Sequence, residues 1–80
     1  MLGVLILNAD YEKALGQNIR RLRMERGLSQ EQVAAQLQVR GCDITRSALA
    51  KIEVGQRHIY PDELKHLRDI FGVAFDELFV

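Results

Sequence analysis

The chain has little of several residue types, and each scarcity excludes something. It holds one cysteine, one proline and no tryptophan in 80 residues. The single thiol, Cys42, excludes an internal disulfide and fits a reducing compartment, so a cytoplasmic location is expected. No Cys/His pairs stand at ligand spacing, and His58 and His66 lie eight residues apart, so neither a metal nor another cofactor is expected. No apolar run reaches the roughly 18 residues a membrane helix needs, so no membrane role is expected. There is no Ser/His/Asp or Cys/His set and no phosphate-cradling glycine loop, which argues against an enzyme. The formal net charge is zero, which gives no support to a bulk polyanion binder.

What is present belongs to a small globular protein. The apolar fraction is 48% and the charged fraction 28%, outside the disordered range. Such a length holds one core and buries only about 60% of the surface that the unfolded chain exposes. The charges are segregated. Residues 1–60 carry nine bases and six acids (+3), and residues 61–80 carry two bases and five acids (−3). That asymmetry can give a neutral chain a basic face.

Residues 1–10 read as an apolar N-terminal extension and residues 11–80 as the domain. Leu2 to Leu7 is short, apolar and β-prone, and lacks the basic leader of a signal peptide. Its open readings are a dimer arm, an edge patch on the same chain, or a tail.

From residue 11 the pattern is helical, and an all-α fold of five helices is expected. Helix 1 is predicted over Tyr11–Arg26, with Asp10 as N-cap and Tyr11, Leu15, Ile19 and Leu22 as its apolar face. Gly16 weakens its middle, and Gly27 closes it. Helix 2 opens at Ser29, with Gln32 at capping-box spacing and Leu28 and Val33 as a hydrophobic staple. Val33, Ala34 and Leu37 turn inward, and Gln30, Glu31 and Gln36 outward. Gln38 to Ile44 reads as a loop. Thr45 caps helix 3, which ends near Val54 before Gly55, and Ile44 and Leu49 form a second staple. At 100° per residue Ala48, Leu49 and Ile52 share one side, and Arg46, Ser47, Ala50, Lys51 and Val54 the other. Helix 4 starts at Pro61, where Asp62 and Glu63 complement the helix dipole, buries Leu64, Leu67, Ile70 and Phe71, and ends at Gly72. Helix 5 is a short piece from Ala74 to Phe79, and its Phe75 and Phe79 form an apolar patch.

Two short capped helices joined by a loop suggest a helix-turn-helix. The outer face of helix 3 is small and cationic, with Arg46 and Lys51 able to reach base edges or phosphates. An ordinary solvated cationic face fits the same pattern equally well.

The stretches LGQNIRRLRMERGLSQEQVAAQL, ITRSALAKIEVGQR and FGVAFDELF together resemble the Xre/Cro-repressor-type helix-turn-helix family over residues 15–79. The resemblance implies a five-helix lambda repressor-like DNA-binding domain and a dimeric transcriptional regulator. Helix 3 would then read the major groove while helix 2 crosses the backbone. By position it implies DNA contacts for Gln30, Thr45, Arg46, Ser47, Lys51 and Arg57, with Arg57 toward the DNA backbone and Gln30 either toward phosphate or assisting base reading. It also implies a structural ion pair between Arg23 and Glu53 that orients helix 3. The chain departs from the common pattern in its long helix 2–helix 3 connection, which places it with a long-loop subgroup. It departs again at Ala74, where the family often has a serine cap.

The reading that follows is a sequence-specific DNA-binding transcriptional regulator, a dimeric repressor whose partners are double-stranded DNA and a second copy. The alternative is a protein-interaction module such as the antitoxin of a toxin–antitoxin pair. The apolar N-terminal run and the Phe75/Phe79 patch motivate it.

Overall fold

The computed structural model describes the backbone of residues 2–80 and the side chains of residues 10–80. Five helices follow one another: α1 (Leu2–Glu25), α2 (Gln30–Val39), α3 (Arg46–Glu53), α4 (Pro61–Phe71) and α5 (Phe75–Leu78). Among the described residues there is no strand. α1 packs on α3 and α5, α2 on α3 and α4, and α4 on α5.

The termini form where local chemistry places them. Ser29 accepts the Gln32 amide at 3.0 Å, and the Gln32 side chain accepts the Ser29 amide at 2.8 Å, so α2 begins with a complete capping box. Thr45 accepts the Ala48 amide at 3.1 Å and opens α3. Both helices end in a Schellman motif. In α2 the Cys42 amide reaches the Leu37 carbonyl and the Gly41 amide the Gln38 carbonyl. In α3 Gln56 reaches Lys51, and Gly55 reaches Ile52.

One core joins Leu15, Ile19, Leu22, Val33, Leu37, Ile44, Leu49, Ile52, Leu67, Phe71 and Leu78. Both staple pairs contribute to it, with Val33, Ile44 and Leu49 fully buried and Leu28 packed at the margin. Full burial of one such aliphatic side chain is worth about 1.5–3 kcal/mol.

The expectations for α1 need correction. Its helix starts at Leu2, so Asp10 lies inside it and is not an N-cap. The β-prone run is part of the same helix, and the proposed dimer contacts of residues 2–7 lie outside the described side chains. Tyr11 is 41% exposed rather than part of the buried face, and the first buried apolar side chain described on α1 is Leu15, one turn later. Gly16 stands inside the helix, at its contact with α3. A Cβ there would overlap the Ile52 carbonyl oxygen, so α1 and α3 touch backbone to backbone at this point.

One smaller correction concerns α2. It runs through Val39, leaving Arg40 to Thr45 as the connection, still longer than the roughly 3–4-residue turn of a short helix-turn-helix. Cys42 lies within this connection. It is the first residue past the α2 stop, buried against the core, and burial raises its thiol pKa.

Candidate nucleic-acid interface

The outward side of α3 is the candidate surface, and three devices fix its tilt. The first is the inward side of the helix, where Leu49 and Ile52 are sunk in the core. The second is a pair of glycines where α1 meets α3 and the turn after it. At Gly16 only a residue without a Cβ fits. At Gly55 the backbone turns left-handed (φ +78) and a Cβ would lie 2.8 Å from Lys13 Cα. The third is an ion pair. Arg23 Nε donates to Glu53 Oε2 at 2.7 Å, and Arg23 Nη2 donates to Glu53 Oε1 at 3.0 Å. The pair is almost fully enclosed, with the Glu53 side chain only 1% exposed. Arg23 also donates to the Leu28 carbonyl at 2.9 Å, which ties the end of α1 to the start of α2.

With its inner side locked, α3 shows Thr45, Arg46, Ser47, Lys51 and Val54 to solvent, with Ala50 half-buried between them. Four of the sequence-expected residues, Thr45, Arg46, Ser47 and Lys51, therefore share one exposed surface. The Thr45 oxygen also serves as the helix cap. Arg46 Nε lies 3.8 Å from Glu31 on α2, a loose and exposed contact. Beside it an open cleft of about 390 Å³ is lined by Arg20, Arg23, Ser29, Gln30, Glu31 and Arg46.

The other two expected contacts already have partners. Gln30 is half-buried and its amide donates to Glu53 Oε1 at 3.0 Å, making it the third member of the Arg23–Glu53 cluster. Arg57 holds Glu63 in a two-pronged pair at 3.0 and 3.1 Å and donates to the His58 carbonyl at 2.7 Å. Glu63, expected as a helix-dipole partner, is also buried. Burial alone would raise its pKa, but hydrogen bonds from Arg57 and the Tyr60 amide outweigh this and hold it below the usual carboxylate value. The same hydrogen bond raises the Arg57 pKa. His58, near the expected phosphate side, rests against Glu12 of α1.

Three residues escaped the sequence reading. Asn18 is buried, and its amide donates to the Glu77 and Leu78 carbonyls at 2.8 and 2.7 Å, fixing α5 on α1. Arg21 in turn donates to the Asn18 oxygen. Arg26 donates to the Phe71 carbonyl at the end of α4. The serine missing at position 74 is thus offset within the chain, and Glu77 also accepts the Ala74 amide at 3.3 Å. A signal for Asn18 existed: it interrupts the spacing Leu15, Ile19, Leu22 on the inward face of α1. A polar residue there needs a buried partner.

A family model described as helix-turn-helix matches residues 19–78. Solved structures agree. The DNA-binding domain of BldD is 30% identical, with TM-score 0.76 over 90% of this chain and 97% of that one. The restriction-modification controller protein C.AhdI from Aeromonas hydrophila is 30% identical, with TM-score 0.78 over 89% of this chain and 96% of that one. The S. venezulae BldD DNA-binding domain is 31% identical, with TM-score 0.74 over 89% and 99%. A comparison with curated proteins finds no match.

Proposed function

The chain belongs to the helix-turn-helix family, and from that premise we propose that it is a DNA-binding transcriptional regulator, a homodimeric repressor that reads the major groove with α3. The observation that carries this reading is the exposed row Thr45, Arg46, Ser47 and Lys51 on a helix whose other side is locked to α1. Small neighbours Ala50 and Val54 leave room for groove entry and for apolar contact with a thymine methyl. Similarity to the DNA-binding domain of BldD and to a restriction-modification controller supports it.

In this reading Arg46 and Lys51 address base edges, and Arg46 presents the bidentate fork that fits guanine. Ser47 adds a hydroxyl that donates or accepts. Gln30 and Arg57, each already engaged inside the chain, contact phosphate through their remaining donors. They supply affinity without sequence choice. Two copies would place their α3 helices about 34 Å apart, on half-sites one helical turn apart. Repression then follows from occupying the operator.

Binding-site selection from a random duplex pool tests the proposal. The wild type is expected to enrich one motif with two-fold symmetry. Arg46→Ala is expected to relax one position of each half-site, at a cost of about 1–3 kcal/mol. Identical motifs from both proteins would remove Arg46 from the role of reader.

A further inference from the structure

Glu31 is the acid that the regulator reading leaves unexplained. It stands on the first turn of α2, is 79% exposed by side chain, and faces Arg46 across the cleft at 3.8 Å. Resting on the reading above, we infer that Glu31 is a specificity-determining residue: it cancels the charge of Arg46 toward phosphate while leaving its guanine-reading atoms free.

The geometry shows how. The Glu31 oxygen approaches the Nε edge of the guanidinium, and Arg46 makes no hydrogen bond to another described residue. Neither terminal nitrogen is engaged in a hydrogen bond among the described residues. Those two are the donors a guanine edge engages, one to O6 and one to N7. The carboxylate oxygen nearest Arg46 thus meets Nε, a donor that this two-pronged contact leaves unused.

The charge balance of the cleft shows why this matters. Arg23 is neutralised by Glu53, which leaves Arg20 and Arg46 against Glu31. The cleft keeps a single net positive charge, and replacing Glu31 by a neutral isostere doubles it. On random DNA Arg46 acts only through attraction to phosphate, whereas on the operator it is engaged with guanine in the groove. Hydrogen bonds to guanine depend on direction and exist only at the right base. A carboxylate beside Arg46 weakens the first and spares the second. It lowers affinity for random DNA more than for the operator, and so widens the ratio between them.

Fluorescence anisotropy with two labelled duplexes tests this: the motif enriched from the random pool, and a scrambled duplex of the same composition. Glu31→Gln is expected to bind the scrambled duplex roughly three- to tenfold tighter at low salt, with a smaller gain on the motif, so that the ratio falls. Glu31→Asp, which keeps the charge, is expected to stay near wild type on the scrambled duplex. In an Arg46→Ala background the Gln substitution should no longer lower the ratio. Equal gains on both duplexes, or no change on either, would overturn the inference while the regulator reading stands. A wild type that binds neither duplex at low ionic strength overturns the reading and the inference together. Melting curves of E31Q within a few degrees of wild type are expected, which separates this role from a structural one.

Discussion

Glu53 has two neighbours in a nearly closed space, Arg23 and Gln30, and its acceptor capacity is divided between them. A buried pair of this kind adds little over an apolar replacement, but breaking it strands a charge. Glu53→Gln leaves the Arg23 guanidinium enclosed without its counter-charge. The expected loss is about 3–5 kcal/mol, seen as a melting point lower by more than roughly 10 °C. An unchanged melting curve would show that the pair does not hold α3. The Arg57–Glu63 pair makes a separate prediction. Because Glu63 has a depressed pKa in the fold, its contribution is complete above the unfolded carboxylate value of about 4.3. It fades as pH falls through the lower folded value. Urea midpoints measured between about pH 6 and 3 should therefore drop on acidification, and Glu63→Gln should flatten that drop. Equal slopes for the two proteins would contradict the assignment. Arg57 was legible as a basic residue after the α3 stop. Its partner was not, because the Arg57–Glu63 contact depends on how the loop turns back onto α4.

The α1–α3 crossing decides where the reading surface points, and Gly16 is its tightest point. Gly16→Ala would gain about 1 kcal/mol in helix propensity. Against this, the new methyl meets the Ile52 backbone, which cannot rotate aside, and overpacking costs about 1–3 kcal/mol or more. The overlap wins in this comparison. A melting point lower by several degrees is expected, and a higher one would place the crossing elsewhere. The same position shows what a sequence conceals. The caps at Ser29 and Thr45 were readable because a cap is settled within four residues of chain. The stop glycines and staples were readable for the same reason. Gly16 read as a weakness, since the backbone that excludes a Cβ comes from a helix more than thirty residues away. Asp10 matched a cap by type, but the preceding run continues the helix, so the local signal was overruled. The α5 anchor at Asn18 depended on carbonyls about sixty residues distant and was missed, although the break in the apolar stripe pointed to it.

The chain as one body joins a small core to a cationic rim. Its net charge is zero, yet Arg20 and Arg46 line one cleft while the last twenty residues carry an acidic excess. Fold and candidate surface were largely readable from pattern and resemblance. The commitment of Arg23 was readable through the resemblance, but that of Arg57 was not, because its ion pair is decided by tertiary approach. The central claim is that α3 offers its exposed bases, Arg46 and Lys51, to DNA. The most direct measurement is fluorescence anisotropy of labelled duplex DNA across a salt series, for the wild type and for an Arg46→Ala/Lys51→Ala variant. The account predicts tight binding at low salt, with log affinity falling linearly in log salt, and a shallower slope for the variant by roughly one unit per lost phosphate contact. Anisotropy that stays flat for the wild type at low ionic strength, or equal slopes and affinities for the two proteins, would contradict it.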